Sequence, residues 1–181
     1  MLYLKLLYIM KFLLCLLSIF LTCFISKTSS IVKLIIDTDM DFDVDDVGAV
    51  CAAHAMADKG WVDILAIVHD AGYPRGIGAV SVLNHYYGRD DIHLGAFKGK
   101  FGAEVPGVYV DDLVDNWDSD ITHYDQVKDA VEIYRQVLDS AEDNSVVISS
   151  VGFLTNIADL LASPADEVSQ KTGYELVRDK V

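Results

Sequence analysis

The chain is short of basic residues. Fourteen Lys and Arg stand against 28 Asp and Glu in 181 residues, a formal net charge of −14. A nucleic-acid binder needs the opposite, a basic surface, so nucleic acid is excluded as a principal partner. Cysteine is scarce as well: of three, Cys15 and Cys23 fall in the first thirty residues and only Cys51 lies beyond them. A chain cleaved near residue 30 could form no internal disulfide, and the apolar neighbours of Cys51 fit a buried inert thiol better than a nucleophile. No Asn-x-Ser/Thr sequon occurs, so no glycosylation site corroborates secretion. Internal repeats and low-complexity segments are lacking too. The apolar stretch Phe12–Ile25 falls short of the roughly 20 residues that a membrane-spanning helix needs.

That stretch has another meaning. Lys5 and Lys11 precede it, and the polar run Ser26-Lys27-Thr28-Ser29-Ser30 follows it. A basic start, a short apolar core and small residues after it describe a cleavable secretory signal peptide. Residues 1–30 are therefore expected to send the chain into the secretory pathway, with secretion as the destination and a membrane association only if cleavage fails. Residues 31–181 remain, enough for one domain with its own core.

Aspartate is what the chain has in excess. Six fall within the ten residues Asp37-Thr38-Asp39-Met40-Asp41-Phe42-Asp43-Val44-Asp45-Asp46. An acidic run is ordinarily a solvated face. Here a strand-like segment, Ile31–Ile36, leads into it and a small apolar helix-competent one, Val47–Ala53, leads out. Apolar flanks would hold several carboxylates at the end of a strand, where like charges raise each other's pKa unless a cation offsets them. Hard oxygen ligands in that number suit Ca²⁺ or Mg²⁺. An EF-hand is not the answer: counted from Asp37, the invariant Gly of the loop would be Phe42 and its closing Glu would be Gly48.

The rest of the chain alternates between two periods. Trp61–Val68 reads as a strand ending at His69-Asp70-Ala71-Gly72, Gly76–Tyr87 as a helix closed by Gly88, and Asp91–Gly95 as a short strand. Residues 97–120 carry Gly99, Gly102, Pro106 and Gly107 with no clear period and read as a long loop. Tyr124–Ala141 has helical spacing, Ser145–Ser150 is strand-like, and Thr155–Leu161 is helical again. Such alternation predicts an α/β fold with a mostly parallel sheet flanked by helices. Ligands of such sheets sit beyond the carboxyl ends of the strands, which gathers Asp37–Asp46, His69–Gly72 and Ser150–Asn156 on one edge. His69 and Asp70 are thereby candidates for the site. Tyr134, Tyr86 and Tyr87 read as core.

Two enzyme families share parts of this pattern. Asp37-Thr38-Asp39 after an apolar strand resembles aspartate-nucleophile phosphatases, in which one carboxylate attacks phosphate and the next is acid and base; Asp41 stands where those enzymes usually carry Thr or Val. Leu34–Ala49 more fully resembles the amino-terminal signature of inosine/uridine-preferring nucleoside hydrolases, in the variant Asp-Thr-Asp-x-Gly-x-Asp-x-Asp-Asp. Leu65-Ala66-Ile67 leading to Ala71-Gly72, Gly88–Gly95, and Val151-Gly152-Phe153-Leu154-Thr155-Asn156 resemble further segments of that family in the same order. Two positions depart from it: Asp41 replaces the signature glycine, and Tyr73 replaces the Asn after Gly72.

That resemblance implies a Rossmann-like nucleoside hydrolase fold. It also implies hydrolysis of the N-ribosidic bond of a small-molecule nucleoside, with a Ca²⁺-activated water and Asp39 as general base. Asp37, Asp45 and Asp46 would hold Ca²⁺ together with the main-chain carbonyl of Val151, while Asp45 and Asn156 would contact substrate. Members of the family are longer, and their later half supplies further ligands. The chain is therefore expected to be the amino-terminal portion of such a domain, inactive by itself, with an unpaired sheet edge open to self-association. A metal- or ribose-binding domain without catalysis is the remaining alternative.

Overall fold

The computed structural model describes residues 31–41, 43–103 and 108–181. The expected signal peptide, residues 1–30, lies outside the described residues. Five strands, β1 (Val32–Thr38), β2 (Val62–His69), β3 (His93–Ala96), β4 (Lys128–Asp129) and β5 (Val146–Ser150), form one sheet in the order β4-β3-β2-β1-β5. Every pairing is parallel. Six helices connect and follow them: α1 (Asp45–Asp58), α2 (Gly76–Tyr86), α3 (Val108–Asn116), α4 (Ala130–Ser140), α5 (Thr155–Ala162) and α6 (Gly173–Lys180). This is the α/β architecture the alternation predicts, with a Rossmann-like parallel sheet. No described helix is long and apolar enough to cross a membrane.

Each strand's side chains divide between two apolar layers, because successive residues of a strand face opposite sides. Ile36 of β1 and Ile67 of β2 pack with Val50, Ala53, Ile77, Val80, Val110 and Val114 of α1, α2 and α3. Ile35, Ala66, Val68 and Val146 pack with Ile133, Tyr134, Leu138, Leu160 and Leu176 of α4, α5 and α6. Ile64 and Ile67 share the first layer although they are three positions apart, an odd spacing. The register shift between Leu34 and Ile35, which skips Leu65 on β2, accounts for this. One extra residue in a strand reverses the alternation beyond it.

Two stretches differ from the sequence expectation. Residues 97–120 are not all loop, since α3 forms there and covers the first layer with Val110 and Val114. The Gly/Pro punctuation clusters before the helix and masks its apolar spacing. The helix expected over Tyr124–Ala141 breaks into a short 3-10 turn, Tyr124–Gln126, the two-residue strand β4, and α4. Asp129 explains the later start, because its side chain accepts a bond from the Val131 amide at 2.9 Å and caps α4. Helix α6 opens with a capping box, Thr172 and Glu175 each bonding the other's backbone amide.

Arg135 locks the second layer. It is 1% exposed, bonds both oxygens of Asp166 at 2.7 and 2.8 Å, and donates to Ser163 Oγ and to the carbonyls of Ser169 and Lys171. Replacing it with Met keeps the aliphatic stem but leaves those acceptors without their donor. Arg135→Met is expected to cost about 2–4 kcal/mol, read as a lower urea midpoint at unchanged slope.

Candidate functional site

The strand order itself opens a crevice. From β1 the chain moves outward through β2, β3 and β4, and then returns to β5 on the other side of β1. Connections therefore diverge between β1 and β5, the position where open parallel sheets bind ligands at their carboxyl edge. Three loops meet there. The Asp70 amide donates to the Thr38 carbonyl at 2.9 Å and the Val151 amide to the Asp37 carbonyl at 2.8 Å. Thr155 Oγ1 donates to the Asp70 carbonyl at 2.7 Å.

Asp37, on the penultimate position of the interior strand β1, is fully buried. Its Oδ2 accepts from the Tyr134 hydroxyl and its Oδ1 from Asn156 Nδ2, both at 2.9 Å. Asn156 Nδ2 also reaches the His69 carbonyl at 3.2 Å, so this buried amide ties β1, β2 and α5 together. Each Asp37 oxygen keeps a second lone pair. Thr38 donates its hydroxyl to Asp46, and the Met40 amide donates to that same hydroxyl oxygen at 3.3 Å. Asp46 stands in the first turn of α1, where a helix amino terminus carries partial positive charge.

Asp39 and Asp70 lie on either side of Gly152. A Cβ added to that glycine would stand 2.8 Å from Asp39 Oδ1, 2.8 Å from Asp70 Oδ2 and 2.5 Å from the Asp39 amide. No residue with a side chain fits there without displacing the carboxylates. Beneath them, His69 Nε2 donates to the Met40 carbonyl at 3.2 Å, and the ring lies against Gly76, whose missing side chain makes room for it. Asp70 is fully buried, and neither of its carboxyl oxygens has a hydrogen-bond partner.

An outer group completes the acidic face. Asp43, Asp45 and Asp46 each bring one oxygen within 4.8 Å of the others, Asp46 buried and the other two exposed. The buried hydroxyl of Tyr109, on α3, lies in the field of Asp46, Asp43 and Asp45 without a hydrogen-bond partner. Among the described residues, Lys, Arg and His pair with Asp58, Asp90, Asp111, Asp115, Asp125, Glu132, Asp143, Asp166 and Asp179, and none pairs with Asp37, Asp39, Asp43, Asp45, Asp46 or Asp70. A separate cavity of about 290 Å³, between Lys33, Ile64, His93 and Gln136, lies at the opposite edge of the sheet and gathers no such charge. Chemistry marks the crevice, not depth.

Burial and mutual repulsion hold these acids protonated well above the ordinary range. Asp37 is pushed up to about 7, by burial against the pull of Asn156 and Tyr134, and Asp46 to about 6, again by burial, which the Thr38 bond opposes and Asp39 reinforces. Asp70 rises to about 8 through burial and then through the charges of Asp37 and Asp39. Asp39 is raised as well, by burial first and by Asp43 and Asp45 after it. His69 falls to about 4 because its burial disfavours the cation. A divalent cation fits this donor set: hard carboxylate oxygens in excess, two of them orphaned on Asp70, and among the described residues no basic side chain paired with them.

No known protein-family model matches the chain, and no curated protein matches it either. The residues expected at the site distribute unevenly. Asp37, Asp39 and Asp46 converge, and Asp45 stands at the exposed rim beside Asp46. Val151 follows β5 directly alongside Asp37. Asn156, placed on substrate by the resemblance, is only 1% exposed and spends its amide on Asp37 and His69, which makes it a positioning residue here. Residues 88–92 lead into the start of β3, at the far edge of the sheet. Of the three tyrosines expected in the core, Tyr134 is there, with its hydroxyl on Asp37, whereas Tyr86 is exposed and Tyr87 half-buried; Tyr109 was hidden in the stretch read as loop. Only the strand-end position of Asp70 signalled it in the sequence.

The sign of the pH dependence follows from these shifts. Carboxyls with folded pKa values above the unfolded value of 3.8 bind more protons when folded, so their contribution is complete below that value and is lost as pH rises through about 6 to 8. His54 and His69, both lowered, act oppositely but only below about pH 6.5. Metal-free protein should therefore lose thermal stability between pH 6.5 and 8. Saturating Ca²⁺ should remove that loss and raise the melting temperature; melting curves in chelator and in Ca²⁺ that coincide at pH 8 would refute the cation fit.

Proposed function

We propose that the chain belongs to a divalent-cation-dependent hydrolase of N-ribosidic bonds, acting on ribonucleosides to give ribose and free base. One observation carries this reading: carboxylates converge on one crevice without a basic side chain paired to them. Such a field stabilises a reacting centre that becomes positive, and a ribosyl group losing its base has oxocarbenium character. The same field repels phosphate. Asp37, buried with both oxygens accepting hydrogen bonds, is also poorly placed to act as the phosphatase nucleophile. The reading agrees with the order of the Asp37–Asp46, Leu65–Gly72 and Val151–Asn156 segments, which resemble those of nucleoside hydrolases.

Asp37, Asp46 and the Val151 carbonyl would hold the cation, with Asp45 at its rim; when bound, the cation offsets their repulsion and makes a neighbouring water more acidic. Asp39 is the base. Half-buried, it is the inner carboxylate that solvent still reaches, and its raised pKa brings it closer to neutrality, where a general base works best. It takes the proton of the attacking water as the water oxygen bonds to the anomeric carbon. The electron pair of the C–N bond leaves with the base. Asp37 and Asn156 hold the strand end that presents Asp39, and Thr38 fixes Asp46 beside it.

A panel of purine and pyrimidine nucleosides, assayed for free ribose in the presence of Ca²⁺, tests the reaction. Release from at least one nucleoside is expected. Asp39→Asn should lower kcat by about 10²–10⁴-fold with little change in melting temperature. Absence of ribose release from every nucleoside by a form that binds Ca²⁺ would remove the substrate assignment.

A further inference from the structure

We propose that Asp70 is itself a direct ligand of the divalent cation, bridging with Asp39 across the face of Gly152. The inference rests on the cation requirement of the proposed function and not on the nucleoside as substrate. Nothing in the family resemblance assigns Asp70 a role, and its place follows from the geometry of this chain.

Three observations carry it. First, Asp70 is fully buried and both its carboxyl oxygens lack a partner. Buried polar groups without partners are rare, and each calls for an explanation such as a bound water or ion. Protonation would satisfy one oxygen at most, through the neighbouring Asp37 carboxyl, and leaves the other to be explained. Second, Asp70 Oδ2 and Asp39 Oδ1 each lie 2.8 Å from one and the same point, the position a Gly152 side chain would take. Two oxygens from the segments that follow β1 and β2 thus face one small gap that only glycine leaves open. Third, the backbone of Asp70 is held on both sides, its amide by the Thr38 carbonyl and its carbonyl by Thr155 Oγ1. The carboxylate is fixed among Asp37, Asp39 and Asp46, whose charges all act on it, and cannot swing away to solvent. A cation satisfies both orphaned oxygens and the three neighbouring charges at once.

The competing account is an uncharged Asp70 whose proton is shared with Asp37. Asp70→Asn separates the two, because the amide has the same shape and can donate to Asp37 but lacks the charge of a ligand. The full chain and the variant are titrated with Ca²⁺ by calorimetry, and melted in chelator and in Ca²⁺. Asp70→Asn is expected to weaken Ca²⁺ binding at least tenfold and to lose most of the Ca²⁺-induced rise in melting temperature, while melting in chelator at the wild-type temperature or higher because repulsion is relieved. Should that variant not fold, Asp70→Ser gives the same comparison. Affinity within threefold of wild type overturns the proposal in favour of the shared proton, and a wild type that binds neither Ca²⁺ nor Mn²⁺ overturns it outright. Ribose release is a separate readout: its failure with Asp70-dependent Ca²⁺ binding intact removes the nucleoside reading alone.

Discussion

Like charges forced together at the carboxyl ends of two interior strands are the constraint on which the rest of this structure turns. Strand β1 is paired on both sides and covered on both faces, so its last residues are buried whatever they are. Asp37 and Thr38 occupy that end and are fully buried. The sheet places Asp70 beside them by the same logic, since β2 is interior as well. Apolar packing of Ile35, Ile36, Ile67 and Val68 drives the strands together, and carboxylates that would separate in water are carried along.

The surrounding polar groups are arranged to tolerate that charge, not to cancel it. Tyr134 and Asn156 each give one donor to Asp37, Thr38 gives one to Asp46, and the amino terminus of α1 faces its own Asp46. All of these are neutral groups or partial charges. Full cations are spent elsewhere: Arg135 holds the 163–172 loop, Arg75 joins α2 to α3 through Asp111 and Asp115, and Arg89 holds Asp58. None of these cations reaches Asp70, whose two oxygens stay without a donor.

Much of this was legible in the sequence, and the part that was not has identifiable physics. The parallel sheet could be read because its strands are continuous β-branched runs that end in polar clusters, and the strand-end rule alone brought Asp37–Asp46, Asp70 and Asn156 to one edge. Helix α3 could not be read, because Gly99, Gly102, Pro106 and Gly107 punctuate the approach to it and drown the spacing of Val110 and Val114. With α3 went Tyr109. The bond from Tyr134 to Asp37 spans 97 positions; periodicity places Tyr134 in the core but says nothing about where its hydroxyl ends. The depth of Asn156 is a tertiary fact of the same kind, set by α5 folding back onto β1 and β2.

A gradient of burial then divides labour among chemically identical side chains. Asp37 and Asp70 are fully enclosed, Asp39 is half-buried, and Asp43 and Asp45 are exposed. Desolvation follows the same order, so the deepest carboxyls carry the highest pKa values and stay uncharged longest as pH rises unless a cation enters. The outer pair lie open to solvent at the rim, where their charge attracts cations toward the crevice. Asp39 stands where the two regimes meet: buried enough, and near enough to Asp43 and Asp45, for its pKa to rise, and near enough to solvent to meet a water. Of the six aspartates in the run, it is therefore this one whose environment suits proton transfer, and it reaches that environment only because Gly152 leaves its side chain room beside β5.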